Sequence, residues 1–328
     1  MAPGKPRAQE LSELVLPATS ANLGPAFDAA ALAFSLYLRV RGEPATEYSV
    51  SARGRDAHLC GGGAENLILK TYREVLQSAS KPAVPLHLDV SNEIPIGMGC
   101  GSSAAARLAG IALAVRMGGL DWSDEQIIAE ASRREGHPDN AAACWLGGLA
   151  IARNAMAADG SPAVQAVRIA GSCPWPLLLA IPDEPLSTEE ARRVLPGQYS
   201  RADAVFNLQN GLFLLAAFMQ GRTDLLRSAL QDRIHEPYRA PLCPLLPALR
   251  ELAGSEGILG AVLSGAGPSV LLFLQPDIAA SNVIERVSKH LRGCGLQAEL
   301  LLTSVAENGA SATLRRASTA RAAEPHAR

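Results

Sequence analysis

Several short segments of the chain alternate apolar and polar side chains, a period of two residues that predicts β-strands with one buried face. In residues 84–90, for example, Leu86, Leu88 and Val90 are the apolar members of this pattern. Short apolar runs bounded by turn-forming residues predict further strands. The predicted strands are 14–17, 32–40, 48–52, 84–90, 148–153, 177–181, 258–263, 269–274 and 296–302.

Other segments repeat apolar residues every three or four positions, which predicts helices. One of them carries Ile68, Tyr72 and Val75 at this spacing. Ser123, with Gln126 three residues later, is a capping-box signature that marks the start of another helix. The predicted helices are 65–79, 102–117, one that opens at Ser123, a short one from Pro138, 187–195, 202–220, 223–234 and 278–291.

These elements follow one another without a regular β-α-β alternation, which favours two α+β domains over a doubly wound sheet. The length of 328 residues agrees with two domains of about 150 residues each. We place the first domain at residues 13–160 and the second at 161–306. Residues 1–12 are predicted to be a flexible tail, and residues 307–328, which are small and polar, a disordered one.

The composition narrows the class of protein. With 48% hydrophobic and 19% charged residues, the chain is predicted to fold around a core. The 30 basic and 32 acidic residues nearly cancel and aromatic residues make up 4%, so we expect no nucleic-acid partner. We find no apolar run near the ~20 residues that span a bilayer, no apolar leader segment, and no zinc or disulfide pattern among the six cysteines. These features predict a soluble cytoplasmic protein without a membrane partner.

Residues 95–105 (PIGMGCGSSAA) contain three alternating glycines and then two hydroxyl groups at the start of a predicted helix. Glycines let successive backbone N–H groups converge, and a helix N-terminus adds partial positive charge, so the segment is suited to hold an anion such as phosphate. The hydroxyl groups of Ser102 and Ser103 are also suitable Mg²⁺ ligands. The alternative is a flexible loop in front of a helix that Ser102 caps.

Two common phosphate loops fit this segment poorly. A Walker loop requires a lysine, and none occurs between Lys81 and Lys289. The dinucleotide pattern G-x-G-x-x-A matches Gly99, Gly101 and Ala104, but the strand before it alternates instead of being apolar throughout. A dinucleotide-dependent oxidoreductase is therefore a weaker alternative.

The segment resembles the P-x-x-x-G-L-G-S-S-A-A loop of the GHMP kinases, a superfamily that includes galactokinases, homoserine kinases and mevalonate kinases. There the loop and the following helix hold the phosphates of ATP, which implies that this chain also binds ATP. Cys100 replaces the usual leucine, and Met98 stands where a basic residue is common in homoserine kinases. The implied nucleotide-binding residues are Asn66, Pro95, Ile96, Gly97, Met98, Gly99, Cys100, Gly101, Ser102, Ser103, Ala104, Ala105 and Gly265.

Residues 17–28 (PATSANLGPAFD) resemble the first motif of homoserine kinases, with Ala26 in place of the usual glycine. From the residues alone, Asn22 and Gly24 predict a sharp turn that presents polar groups, and Asp28 is able to face an ammonium group. A purely structural Asx-turn is the alternative. The resemblance implies that Asn22 and Asp28 bind the substrate.

Residues 135–140 (EGHPDN) resemble the homoserine kinase segment E-G-H-x-D-N. The resemblance implies that Glu135 and Ser103 hold Mg²⁺ and that His137 and Asn140 line the substrate pocket. For individual residues, the alternatives are a structural histidine and a helix N-cap at Asp139.

The sequence LSGAGPS around Gly265 and Gly267 resembles the third superfamily motif, which implies that these glycines bring the backbone close to nucleotide and substrate. Thr188 and Arg192 match the T-x-x-x-R-x-x-L-P helix of homoserine kinases, and Arg239 occupies a second matching position. A guanidinium suits a substrate carboxylate because it donates two parallel hydrogen bonds. Ordinary surface arginines are the alternative.

The resemblance covers about residues 13–305 and implies a two-domain α+β GHMP kinase fold. Its N-terminal domain is expected to resemble domain 2 of ribosomal protein S5, and its C-terminal domain a ferredoxin. The implied activity is phosphorylation of the L-homoserine hydroxyl by ATP, with Glu135, Ser103 and Asn140 as catalytic residues. No general base is evident, since Asn140 and Thr19 stand where mevalonate kinases have Asp and Lys, so positioning is expected to carry catalysis. Lys5, in an A-P-G-K sequence, is interpreted as a chance match.

Two alternatives share these motifs: another GHMP-type small-molecule kinase, and a superfamily member that binds a ligand without catalysis. The paired arginines favour an amino-acid substrate, and Glu135 with the two serines favours catalysis. A homodimer is left open.

Overall fold

The computed structural model describes residues 13–157, 159–169, 175–255 and 257–314. Its first sheet is organised around one long strand, β2, which pairs antiparallel with β1 on one side and with β4 and β5 on the other. β3 pairs parallel with β4, and β6 pairs antiparallel with β5, which gives the order β3-β4-β2-β5-β6 with β1 beside β2. These strands are β1 (Leu14–Asn22), β2 (Ala26–Pro44), β3 (Ser49–Gly54), β4 (Leu86–Asn92), β5 (Leu149–Met156) and β6 (Pro162–Arg168).

Four helices of the first domain contribute to the core beside this sheet: α1 (Leu67–Ser78), α2 (Ser102–Gly118), α3 (Asp124–Glu135) and α4 (Asp139–Leu146). α2 is rich in alanine, and most of these alanines are buried. Gly110 lets α2 approach α1 closely, because a side chain there would meet the backbone oxygen of Ile68. Much of the alanine in this region is therefore required by helix packing.

The second sheet has the order β10-β7-β9-β8, and all its pairs are antiparallel. Its strands are β7 (Leu177–Ile181), β8 (Ile258–Leu263), β9 (Val270–Leu274) and β10 (Glu299–Thr303). Every residue of β7, β8 and β9 is buried, because one face packs on α9 and α10 and the other joins the larger core with α6 and α7. The helices of this part are α5 (Thr188–Arg193), α6 (Arg201–Gln220), α7 (Thr223–Ala229), α8 (Glu236–Arg239), α9 (Leu245–Arg250) and α10 (Ala280–Gly293).

Each strand and helix predicted from the periodicity has a counterpart in the structure, while β6, α8 and α9 were not predicted. The helix predicted at 223–234 ends earlier, at Ala229. The domain boundary predicted at residue 160 differs from the structure, because β6 pairs with β5 and extends the first sheet to Arg168. β6 has several exposed positions, so its apolar pattern is weak.

The predicted disordered tail from residue 307 is wrong for residues 307–314. Glu307 pairs with Arg168, and Ala310 is fully buried. Gly309 lies so close to the Trp145 carbonyl that a side chain would not fit. The small residues of this segment thus serve close packing. The remaining predicted tails, 1–12 and 315–328, lie outside the described residues.

Candidate active site

A cavity of about 580 Å³ is lined by the β1–β2 turn, the glycine loop with the start of α2, the α3–α4 connection, the start of α5 and the β8–β9 loop. Most of the predicted site residues line it. The exceptions are Pro95, Met98, Ala104 and Ala105, which belong to the glycine loop or to α2 without contributing to the wall. The segments singled out by the sequence therefore meet at one place.

The three alternating glycines of the loop all have a left-handed backbone conformation. Gly97, Gly99 and Gly101 have φ angles of 76°, 75° and 72°, a region that residues with a Cβ rarely adopt. A Cβ at Gly101 would overlap Thr19 Oγ1, and one at Gly99 would overlap the Ser264 carbonyl oxygen. The loop therefore requires glycine for both its conformation and its close contacts.

Gly101 is the N-cap of α2 and provides no capping side chain. Ser102 is the first residue of the helix instead of its cap, so the alternative interpretation of this serine is wrong. The first backbone N–H groups of a helix have no intrahelical acceptor, and Gly101, Ser102 and Ser103 at the positive end of the α2 dipole line the cavity. This geometry suits the binding of phosphate.

Cys100 is buried, and burial raises the pKa of its thiol to about 12, with neighbouring serine hydroxyls and Arg55 opposing the rise. Its carbonyl oxygen accepts a hydrogen bond from the Thr19 N–H at 3.1 Å. The residue therefore serves as a small apolar side chain that fixes the loop against β1, and the thiol stays protonated.

Glu135, the last residue of α3, lies beside the start of α2. Its Oε1 accepts a hydrogen bond from Ser103 Oγ at 2.7 Å and another from Arg107 Nε at 2.5 Å. A carboxylate and a hydroxyl next to free backbone N–H groups form a set of hard oxygen ligands that fits Mg²⁺. Arg107 was not singled out from the sequence, although its position four residues after Ser103 places both on one face of α2.

Thr19 and Asn140 form a neutral pair in the cavity region. Thr19 Oγ1 donates a hydrogen bond to Asn140 Oδ1 at 2.7 Å. Neither side chain is able to accept a proton near neutral pH. The structure thus places these two residues together without giving a general base at this position.

Asp28 and Arg192, which also line the cavity, form a two-bond ion pair. Arg192 Nη2 donates to Asp28 Oδ1 at 2.7 Å, and Nη1 donates to Oδ2 at 3.1 Å. Asn22 accepts a hydrogen bond from the Asp28 N–H and donates to the Gly265 carbonyl oxygen. Asn22 thus ties the β1–β2 turn to the β8–β9 loop, and both Asn22 and Asp28 have positive φ angles. Thr188, the first residue of α5, lines the same region.

His137 pairs with Asp139, with 2.7 Å between Nδ1 and Oδ1. Burial, the largest influence, lowers the pKa of His137, but the hydrogen bond and charge of Asp139 outweigh it, so that the net pKa is raised. Asp139 Oδ2 is buried and has no hydrogen-bond partner among the described residues. Asp139 lies within the first turn of α4 and does not cap it. Ligand atoms of Asp28, His137 and Asp139 lie within 4.8 Å of one another, an acidic surrounding that suits an ammonium group.

Arg239 is almost fully buried at the wall of the cavity. Its Nε donates to the Ala191 carbonyl oxygen at 3.0 Å, and its Nη1 donates to His235 Nδ1 at 3.1 Å. His235 Nε2 in turn donates to the Gly24 carbonyl oxygen at 2.8 Å, which defines a neutral histidine. Burial lowers the pKa of His235 to about 4, and the Arg239 charge adds to this effect against the raising influence of Asp232.

The sequence analysis missed His235 and its supporting residues. Asp232 accepts hydrogen bonds from the backbone N–H groups of His235 and Glu236 at 2.9 and 2.7 Å. These bonds hold the short helix α8, which carries Arg239. The signal in the sequence was the series Asp232, His235, Glu236 and Arg239, four charged or titratable residues at helical spacing that all turn out to be buried.

Asn66 lines the cavity but is fully used in the fold. It caps α1, since its Oδ1 accepts from the Ile68 N–H and its Nδ2 donates to the Cys60 carbonyl oxygen. The neighbouring wall is apolar and includes Leu59, Ile68, Val90 and Ile94, none of which was predicted as a site residue. An apolar wall beside an anion-binding loop suits a planar base attached to phosphates.

Comparisons with known proteins agree with this geometry. Residues 66–148 match the family model for the GHMP kinases N terminal domain, and residues 214–293 match the one for the GHMP kinases C terminal domain. A Cytophaga hutchinsonii homoserine kinase structure shares the fold with a TM-score of 0.77 and 23% identity, covering 93% of this chain and 98% of that one. The L. major mevalonate kinase structure, at 18% identity, has a TM-score of 0.66 over 92% of this chain and 98% of its own. The fold is that of the GHMP kinases.

Individual relatives narrow the family. The homoserine kinase of Solibacter usitatus is 42% identical over 90% of this chain and 95% of its own. The homoserine kinase of a Synechococcus strain is 36% identical over 90% of this chain and 96% of its own. The chain belongs to the homoserine kinase family of the GHMP kinases. The two-domain α+β fold expected from the motifs is thereby confirmed.

Proposed function

We propose that the chain transfers the γ-phosphoryl group of ATP to the hydroxyl oxygen of L-homoserine, giving ADP and O-phospho-L-homoserine. The observation that carries the proposal is one cavity lined both by a glycine loop at a helix N-terminus and by a set of opposite charges, Asp28, Asp139, Arg192 and Arg239. Kinship with homoserine kinases supports the same substrate. Because ATP and Mg²⁺ are abundant in the cytoplasm, we place the enzyme there.

On the nucleotide side, the N–H groups of the loop and of the first turn of α2 bind the phosphates. Ser103 and Glu135 would hold Mg²⁺, which would supply neutralisation of the phosphate charge. The apolar wall near Ile68 and Val90 takes the adenine. Preorganised N–H groups stabilise the charge that develops on the transferred group, since they need no reorganisation during the reaction.

On the acceptor side, the arrangement of charges is complementary to a zwitterionic amino acid. Asp28 and the unpartnered oxygen of Asp139 attract the ammonium group, while Arg192 and Arg239 attract the carboxylate. The ion pair between Asp28 and Arg192 keeps both groups balanced until substrate enters. His137 and Asn140 then direct the hydroxyl group towards the phosphates.

A general base is not evident among the described residues near Thr19 and Asn140. Phosphoryl transfer passes through a loose transition state, in which little proton removal is needed early. Catalysis therefore rests on holding the hydroxyl in line with the γ-phosphate and on electrostatic stabilisation.

The direct test is ADP release from ATP and Mg²⁺ with and without L-homoserine, compared with mevalonate, galactose and shikimate. We expect homoserine alone to stimulate ADP release, with O-phospho-L-homoserine identified by mass spectrometry. Stimulation by another alcohol and not by homoserine would identify a different GHMP-type kinase. Binding of ATP without ADP release in any of these mixtures would identify a non-catalytic member.

A further inference from the structure

Phe27, at the start of β2, contacts both arginines of the acceptor side. Arg192 Cζ lies 5.6 Å from the centroid of its ring, and Arg239 Cζ lies 5.4 Å from it. Both distances are within the ~6 Å over which an aromatic ring attracts a cation. Phe27 itself lines a separate groove of about 380 Å³ and not the cavity. Any effect of this ring on a bound acceptor therefore passes through the two arginines.

Arg239 is 1% exposed, and its hydrogen bonds all go to uncharged partners. These are the carbonyl oxygens of Ala191 at 3.0 Å and Gly265 at 3.4 Å, and His235 Nδ1 at 3.1 Å. Within the part of the chain that the structure describes, Arg239 forms no ion pair, whereas Arg192 has a carboxylate partner. A buried cation without a counter-ion is unfavourable, so its contact with the π face of a ring matters more than it would at the surface.

The two guanidinium groups also repel each other. Burial, the largest influence, lowers the pKa of Arg239, and the charge of Arg192 adds to this lowering. Such repulsion favours side-chain conformations in which the two cations move apart. A single carboxylate, in contrast, is bound best when both guanidinium groups lie beside it. A ring that attracts both cations opposes their separation before substrate binds.

His235 fixes the Phe27 ring from the interior. Its imidazole stacks on the ring with 5.2 Å between the centroids and 24° between the planes. Nε2 donates to the Gly24 carbonyl oxygen, and Nδ1 accepts from Arg239, so the imidazole is neutral and adds no third positive charge. His235 is fully buried, which leaves it little freedom to move. It thus connects α8, which carries Arg239, to the turn in front of Phe27.

We propose that Phe27 is a positioning residue of the acceptor side, whose ring holds Arg192 and Arg239 together for the carboxylate of the substrate. The inference rests on the proposed function, because it takes the acceptor to be an amino acid. A carboxylate in place of the ring would also hold the arginines, but it would neutralise the charge that the substrate needs. With the ring, the conformational entropy of two long side chains is lost during folding instead of during substrate binding.

The test compares Phe27→Leu with the wild type in steady-state kinetics. Leucine keeps an apolar side chain but has no π face, so KM for homoserine should rise about 5- to 20-fold, as expected for two lost cation–π contacts. kcat and KM for ATP should change less than ~2-fold, since the ring touches neither the nucleotide side nor the transferred group. Phe27→Tyr keeps the ring and should retain the wild-type KM for homoserine.

Phe206→Leu is the matched control. Phe206 also has an arginine over its ring, with Arg233 Cζ 3.9 Å from the centroid, and neither residue lines the cavity. KM for homoserine should therefore stay at the wild-type value in this variant. Circular dichroism and thermal unfolding establish that each variant is folded. An equal rise of KM in Phe206→Leu would contradict the proposal.

A readout specific to the carboxylate separates positioning from a general distortion of the cavity. Aminopropanol, which is homoserine with hydrogen in place of the carboxylate, is used as a competitive inhibitor and should bind equally to the wild type and Phe27→Leu. The proposal is overturned if Phe27→Leu keeps the wild-type KM for homoserine, or if it loses affinity for aminopropanol by the same factor as for homoserine. Both outcomes leave the proposed function standing. A wild-type enzyme that releases no ADP with homoserine would instead refute the proposed function, and this inference with it.

Discussion

The glycine loop and the arginine-bearing wall line one cavity and are suited to attract negative charge by different means. On the loop, Gly97, Gly99 and Gly101 have positive φ angles and line the cavity with backbone, without charged side chains. On the other wall, Arg192 and Arg239 use guanidinium groups, each already held by protein acceptors. The loop therefore tolerates few side chains but needs no charge, whereas the wall depends on charge and its placement.

The two sides also differ in how their charged residues are supported. Glu135 is held by the Ser103 hydroxyl and by Arg107. Arg239 is held in the interior by a carbonyl oxygen and a neutral histidine. Substitutions on the nucleotide side are thus expected to change metal and ATP binding, and those on the acceptor side to change substrate affinity and acid stability.

The largest effect is expected for Glu135→Ala. Loss of the carboxylate removes a metal ligand and leaves Arg107 without its partner, so kcat should fall by about 10³-fold. Steady-state rates at saturating homoserine measure this change. Glu125→Ala, at an exposed position in the first turn of the same helix, is the control and should retain wild-type rates. A fully active Glu135→Ala enzyme would refute the metal assignment.

On the acceptor side, Arg192→Lys tests whether paired guanidinium bonds matter beyond charge. Lysine keeps the charge but loses the two-bond geometry with Asp28 and with a carboxylate, so KM for homoserine should rise 10- to 100-fold. KM for ATP should change little, which separates this wall from the loop. Arg193→Lys, at the exposed neighbour, provides the comparison; an equal rise there would show that the effect is not specific to the cavity.

On the loop, Gly101→Ala tests whether this position requires a residue without a Cβ atom. A Cβ at this φ angle costs about 1–2 kcal/mol and also overlaps Thr19 Oγ1, so KM for ATP should rise at least ~10-fold and thermal stability should fall. Gly119→Ala, at the other end of α2, has a similar positive φ but no atom within 4 Å. It should lose stability only, and equal ATP defects in both variants would contradict a local role for Gly101.

The residues of the glycine loop and the three family motifs could be predicted because each signal is contiguous in sequence. Glycine spacing sets the loop conformation locally, and the structure brings the two motif residues Ser103 and Glu135 into hydrogen-bond contact. Arg107 and His235 were missed because their roles depend on partners distant in the chain, such as Glu135 and the Gly24 carbonyl oxygen. The positions of Arg107 and His235 in the sequence give no sign of those partners.

The secondary structure, too, could be predicted only where its signal is contiguous in sequence. Buried strands such as β7 have continuous apolar runs and were found at their observed bounds. β6, with its exposed positions, and the small residues of 307–314 have no such run. Gly309 is small because of the neighbouring Trp145 carbonyl, a contact that the sequence does not reveal.

A smaller effect is expected for the pH dependence of stability, which depends on His235 on the acceptor side of the cavity. Burial lowers the pKa of His235 from its usual value of 6.5 to about 4. As the pH falls, this histidine therefore takes up a proton in the unfolded chain at a higher pH than in the folded chain. Its contribution to stability is therefore complete above pH 6.5 and is lost as the pH falls towards 4. In His235→Gln, which keeps an amide donor and acceptor, this loss should disappear. Thermal unfolding from pH 4 to 7 measures it, and parallel curves for the two proteins would contradict the assignment of a neutral histidine.

The smallest effect is expected for Arg107→Met. Arg107 and a metal ion compete for Glu135, and the ion pair between the two residues is largely buried. Removing the guanidinium should therefore tighten Mn²⁺ binding to the substrate-free enzyme about 3- to 10-fold, which corresponds to about 1 kcal/mol. Electron paramagnetic resonance titration measures this affinity without turnover. Arg133→Met, which removes a pair from Glu130 on the same helix as Glu135, should leave Mn²⁺ binding unchanged. If Arg107→Met weakens Mn²⁺ binding instead, Arg107 orients Glu135 for the metal, and the nucleotide wall would then resemble the acceptor wall in depending on a correctly placed guanidinium.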